Sequence, residues 1–89
     1  MPNARLALVE SAVMRFLAQR QRTLGVSATV DADVAVFESG LLDSMALVEL
    51  VAAVEAEAGV SLDMLRFDPT EAESAGALVA ALGEALEPA

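Results

Sequence analysis

The sequence predicts an all-α fold, a small four-helix bundle with three longer helices, one short third helix and a long loop between the first two. Three observations carry that expectation. Hydrophobic residues fill 56% of the 89 positions, yet the aromatics are three Phe and nothing else, so the core is built from Ala, Val and Leu. Ala and Leu head the helix-propensity ranking, which favours helices over sheet. Apolar residues also recur at helical spacing in three separate stretches. Length sets the scale, because a chain of this size has material for one domain and one core, here residues 1–89.

The first helix is expected from about Asn3 to Arg22, ending before Gly25. Leu6, Val9, Val13, Phe16 and Leu17 form its core stripe, and Arg20 and Arg22 sit in the last turn, where cations suit the helix dipole. An Arg-rich amphipathic N-terminus also fits a transit peptide. Glu10 interrupts it, however, Ser is scarce, and a small domain needs the stripe as core, so the reading is a structural helix in a cytoplasmic chain. The mean hydropathy is positive. Even so, the longest uncharged run, Ser74 to Gly83, is about half of what spans a bilayer, so no membrane span is expected.

Thr23 to Asp43 forms a long connection, and loops of that length are usually functional or disordered. Val26, Val30, Val34, Val36 and Phe37 are apolar enough to pin it to the core, so an ordered loop is expected.

Projected at about 100° per residue, Ser44 to Ala58 separates into two apolar faces. Leu47, Leu50, Val51, Val54 and Ala58 should face the core. Met45, Val48 and Ala52 lie opposite, bordered by Glu49 and Glu55; such a helix is either buried on both sides or docks a partner, and in a domain this small docking is the expectation. Gly59 closes the helix. Leu62 to Phe67 is a single turn or two of helix ended by Asp68 and Pro69. The last helix starts either at Thr70, with Glu73 completing a capping box, or at Ser74. Leu78, Val79, Leu82 and Leu86 then close the bundle.

Absences narrow the chemistry. The chain has no Cys and no His, which removes the usual zinc and haem sites, a disulfide framework, a thiolate nucleophile and a Ser-His-Asp triad. A serine hydrolase built on Ser44 lacks even a Lys to act as base. No catalytic residue and no resident metal are expected, so any reactive group must be supplied from elsewhere. The net charge is −9, with four Arg and one Glu in residues 1–30 against one Arg and thirteen acids in residues 31–89. This balance argues against nucleic acid and for partners with basic surfaces.

The stretch Phe37-Glu38-Ser39-Gly40-Leu41-Leu42-Asp43-Ser44-Met45 places a hydroxyl at the expected start of a helix, directly after an acid. Unpaired N–H groups and the positive dipole end of a helix stabilise an anion there, which suits a phosphate ester. Gly40 keeps a side chain out of the way, and Asp43 is placed to hold a divalent cation during a phosphoryl transfer. Against this stands a plainer reading, since Ser and Asp before a helix are most often N-caps.

The whole string resembles the 4′-phosphopantetheine attachment motif of acyl carrier proteins, an Asp-Ser pair followed by Leu or Met. The resemblance runs from about Val34 to Leu82, through Val48-Glu49-Leu50-Val51 and the acidic helix end Glu55-Ala56-Glu57-Ala58-Gly59-Val60. It implies the acyl-carrier bundle and a discrete, non-catalytic carrier. By it, Ser44 carries phosphopantetheine delivered from coenzyme A by a phosphopantetheinyl transferase, and Asp43 assists that enzyme and its metal. Met45, Val48, Glu49 and Glu55 correspond to the surface that basic patches of partners contact, and Ala52 lies in the same strip. The other implied partners are a cargo-activating, adenylating ligase and a downstream transferase or synthase, with the carrier itself a monomer.

Within the family, the Phe37 to Met45 string and Arg66-Phe67-Asp68 look most like D-alanyl and other aminoacyl carriers, so the expected cargo is an amino acid or another short acid. A fatty-acyl or polyketide cargo is the alternative. The chain departs from both groups: Ala46 and Ala56 stand where fatty-acid carriers usually have acids, and D-alanyl carriers usually have Gly at Ala46 and Trp after Phe67. The core position at Ala58, often Phe in the family, is small, which either enlarges the interior or leaves Phe37 and Phe67 to fill the space. A more distant rival is an unmodified acidic interaction module that docks one protein through Met45, Val48 and Glu49, with Ser44 only a cap.

Overall fold

The computed structural model describes residues 4–87. Three helices, α1 (Ala4–Leu24), α2 (Ser44–Ala58) and α3 (Ala75–Glu84), are joined by a long loop and by two single 3-10 turns, Met64–Arg66 and Pro69–Glu71. The expected start of the first helix, Asn3, lies outside the described residues. The short third helix takes the form of the two 3-10 turns, because Pro69 supplies no N–H and Asp63 and Asp68 each cap a turn of their own.

α1 packs against both α2 and α3. Val9, Ala12, Val13 and Leu17 are buried, and Met14 and Phe16 are half-buried at the edge of the same cluster. Leu6 falls short of its expected core place: it is 36% exposed and lies over Gly83, where an added Cβ would come within 2.8 Å of its Cδ1. Contact of Leu6 with Gly83 at one end, and a groove shared by Met14 and Gly76 at the other, makes α1 and α3 antiparallel.

On α2, Leu50 and Val54 are buried, while Leu47, Val51 and Ala58 are half-buried against the core. Ala46, which the helical projection leaves out of the core arc, is only 2% exposed. Its small side chain lets the first turn of α2 sit close to the interior. Gly59 ends the helix at φ 64, a left-handed conformation that disfavours side chains, with its N–H donated to the Glu55 carbonyl. Phe67 is buried and Phe37 is half-buried against the cluster, so both phenylalanines contribute to the interior.

The connection from residue 25 to residue 43 is pinned as its apolar pattern predicts. Val34 and Val36 are buried, with Val26, Val30 and Phe37 half-buried against the core. Hydrogen bonds then fix its path. Ala32 and Val34 offer their carbonyls to the N–H groups of Gly76 (2.8 Å) and Ala75 (3.0 Å), and Val36 N–H donates to the Glu73 carbonyl (3.0 Å). Ser74, one of the two cap positions expected from sequence, is the N-cap of α3, its hydroxyl accepting from Ala77 N–H at 3.1 Å. The loop therefore supplies partners that the first turn of α3 cannot find within itself. At the far end Leu62 and Leu86 form an isolated antiparallel bridge, which leaves Leu86 half-buried beyond α3.

Candidate functional site

The site begins with two buried leucines. Leu41 and Leu42 are 0% and 3% exposed, and Leu42 N–H donates to the Val36 carbonyl at 2.8 Å, so the chain is held to the core just before it turns outward. Gly40 precedes them at φ 86, with nothing within 4 Å of where a Cβ would lie. Glycine is needed there for its backbone conformation, and the space around it is open.

Asp43 follows in an extended conformation and is the N-cap of α2. Its Oδ1 accepts from Ala46 N–H at 2.7 Å, and its carbonyl accepts from Leu47 N–H at 2.9 Å. Ser44 is thus the first residue of the helix, exposed, with capping carried out by its neighbour. Among the described residues, the Ser44 hydroxyl, the Ser44 and Met45 N–H groups and Asp43 Oδ2 have no protein partner.

The two helix starts differ in consequence. At α3 the four leading donors are all taken, by Val34, Ala32 and the hydroxyl and carbonyl of Ser74. At α2 two of the four remain open beside a free hydroxyl. Open N–H groups at the positive end of a helix favour an anion, so an ester phosphate on Ser44 fits this arrangement.

The strip expected to dock a partner is on the surface. Met45 is 75% exposed and Val48 69%, and Ala52 and Glu49 are exposed as well. Glu55 is different: it is half-buried, and its Oε2 accepts from Leu62 N–H at 2.9 Å, which ties the end of α2 to the next segment. Sequence pattern missed the 98% exposed Leu65, in the first 3-10 turn. Of the apolar piece from Leu62 to Phe67, only Leu62 and Phe67 turn inward. An open groove between the loop and the second 3-10 turn, lined by Asp33, Phe37, Glu38, Thr70 and Glu73, includes neither Asp43 nor Ser44. Beside it, the Thr70 hydroxyl and backbone N–H both donate to Asp68 and hold its carboxyl below the usual carboxylate range.

The sequence model of the phosphopantetheine attachment site matches residues 15–82, well over half of the chain. The chain belongs to the phosphopantetheine-binding carrier family. No curated protein and no solved structure matches it. As a carrier domain it is non-catalytic and holds 4′-phosphopantetheine covalently, which implies a transferase that installs the group and an enzyme that loads it. The observed helices and 3-10 turns are the all-α bundle of such carriers. No helix among the described residues is long and apolar enough to cross a membrane.

Proposed function

We propose that Ser44 is the residue that carries the prosthetic group, that residues 1–89 form one carrier domain that is monomeric and cytoplasmic, and that its cargo is an amino acid or another short acid. The observation that supports Ser44 is the division of labour at the start of α2. Asp43 does the capping, through the bond from Ala46 N–H, so Ser44 has no capping role to explain it and its hydroxyl is exposed. This weighs against an unmodified interaction module, in which Ser44 was to be the cap.

When bound, the arm supplies the thiol on which cargo is held as a thioester. The chain's own residues do the rest. The open Ser44 and Met45 N–H groups would hold the ester phosphate, Asp43 keeps the first turn wound and would offer Oδ2 to the transferase and its cation, and Met45, Val48 and Ala52 would give partner enzymes an apolar strip. Glu49 adds charge for basic patches, whereas Glu55, tied to Leu62, contributes field more than contact. The short-acid cargo rests on the Phe37 to Met45 string and its likeness to aminoacyl carriers.

The test is intact mass after incubation with coenzyme A, Mg²⁺ and a broad-specificity phosphopantetheinyl transferase. Wild type should gain one phosphopantetheinyl increment and Ser44→Ala none. An unmodified wild type, or a modified Ser44→Ala, overturns the assignment. Trapping the loaded thioester from cells then reads the cargo, and a long acyl chain there would overturn the short-acid reading.

A further inference from the structure

We infer that Arg20 is a positioning residue for modification of the carrier, acting through the carbonyl of Leu41. This rests on the Ser44 reading above. Arg20 lies in the next-to-last turn of α1, half-buried, and its Nε donates to the Leu41 carbonyl oxygen at 2.9 Å. It links residues 21 positions apart in the chain, one on α1 and the other three residues before Ser44.

The carbonyl it holds matters for a specific reason. In an α-helix the N–H of residue i pairs with the carbonyl of residue i−4, so the Leu41 carbonyl is the one that Met45 N–H would meet if α2 wound one turn further back. In this structure the helix starts at Ser44, Asp43 is extended at φ −127 and ψ −175, and Met45 N–H has no protein partner among the described residues. By taking the Leu41 carbonyl, Arg20 turns it toward α1, keeps the extended step at Asp43, and leaves the two leading N–H groups of α2 open beside the Ser44 hydroxyl. The bond also satisfies a carbonyl whose residue is fully buried, and an ionised donor makes it stronger than a neutral one.

The rest of the loop leaves this task undone. Gly40 N–H to Phe37, Leu42 N–H to Val36 and Leu41 N–H to the Ser39 hydroxyl (3.4 Å) are contacts within the loop, and none of them ties the segment to a helix. The other arginines at that end of α1 do not substitute: Arg22, exposed, donates to Gln19 of its own helix at 2.8 Å.

Two neutral variants isolate the bond. Gln carries its side-chain nitrogen on Cδ, as Arg carries Nε, so Arg20→Gln keeps a donor at the same place. Arg20→Met keeps the length of the stem and loses the donor, and both residues are good helix formers. With purified phosphopantetheinyl transferase at a temperature where both are folded, Arg20→Met should raise the KM for the carrier about tenfold at unchanged kcat, because only part of the population presents Ser44 correctly. Arg20→Gln should stay within about twofold of wild type. Amide exchange, which needs no transferase, should show the Ala46 and Leu47 N–H groups of Arg20→Met exchanging about tenfold faster than those of Arg20→Gln.

Equal KM and equal exchange in the two variants overturn the inference. A wild type that takes no prosthetic group overturns the Ser44 reading instead, and exchange still decides the role of Arg20. If Arg20→Met does not fold, Arg20→Lys replaces it, keeping charge and stem but moving the donor one bond outward. Gln closer to wild type than Lys then supports the bond; the reverse order, or equality, overturns it.

Discussion

Asp43 caps α2, and two substitutions separate that role from the proposed service of its other carboxylate oxygen to the transferase. Its Oδ1 caps α2 through Ala46 N–H at 2.7 Å, while Oδ2 has no protein partner among the described residues. Asp43→Ala deletes the cap, which costs about 1 kcal/mol. For a domain of this size that lowers Tm by roughly 4–8 °C. Asn caps about as well as Asp, so Asp43→Asn forfeits only the attraction of a carboxylate to the helix dipole, about 0.3–1 kcal/mol, and its Tm should fall by less than that of Asp43→Ala. Loading sorts the same variants differently. If Oδ2 serves the transferase and its cation, neither variant supplies an ionised oxygen, and both should load at least ~10-fold more slowly than wild type, since positioned charge of this kind is worth that much or more. The assays are thermal unfolding by circular dichroism and transferase kinetics followed by intact mass. Asp43→Asn loading at the wild-type rate would refute the proposed service, and Asp43→Ala melting with wild type would refute the capping role.

Three further outcomes follow from the geometry. Glu49→Arg, on the exposed strip of α2, should raise the transferase KM several-fold more than Glu84→Arg at the end of α3, with the gap closing as salt is added; equal effects would remove the strip from the docking surface. Leu50→Ala, at a position with no exposure, should destabilise the fold by about 2–5 kcal/mol in denaturant titration, whereas Val48→Ala on the outer face should change it little. The Asp68 carboxyl is held low chiefly by the Thr70 hydroxyl and then by its backbone N–H, so Thr70→Val should return it toward the ordinary carboxylate range in an NMR titration. Because the folded value is depressed, the stability linked to Asp68 is present above the ordinary carboxylate range and lost as pH falls through the lowered value; in Thr70→Val this pH-dependent part should shrink.

Much of this was readable from residue types. The span of α2 from Ser44 to Ala58, its glycine stop, the valines that pin the loop and the exposed strip of Met45 and Val48 all follow from period and terminus chemistry. What escaped reading depends on distant partners. Ala46 carries too little apolar surface to register in a helical projection, yet the close approach of the first turn buries it. Its departure from an acid at that position therefore belongs to packing, and Ala56, which is exposed, bears on the charge of the surface. Thr70 and Ser74 were equal candidates for the last cap. The choice was made by the bridge between Ala35 and Ser74, a pairing that no local pattern contains. Arg20 read as a cation near a helix end, and the carbonyl it serves lies 21 residues away.

The charge of the chain acquires a more definite meaning from the same side chains. All five arginines are engaged within the fold: Arg5 with the Glu87 carbonyl, Arg15 with Glu57 at 3.2 Å, Arg20 with Leu41, Arg22 with Gln19, and Arg66 with the Leu86 carbonyl at 3.5 Å. Arg20, Arg22 and Arg66 donate to carbonyl or amide oxygens and not to acids, while Arg15 pairs with Glu57 of α2. On the proposed reading, a partner approaching α2 would meet a negative field to which the thirteen acids of residues 31–89 contribute. Such a field raises the encounter rate with basic enzymes without adding buried contacts, and contacts kept few let each enzyme release the carrier quickly. A carrier visits several enzymes in turn, so fast encounter with weak retention is the combination its work requires. Using Arg20 and Arg66 to fasten the loop and the segment after α3 would serve both needs, since these cations hold the scaffold while Glu49 stays exposed on the proposed docking strip.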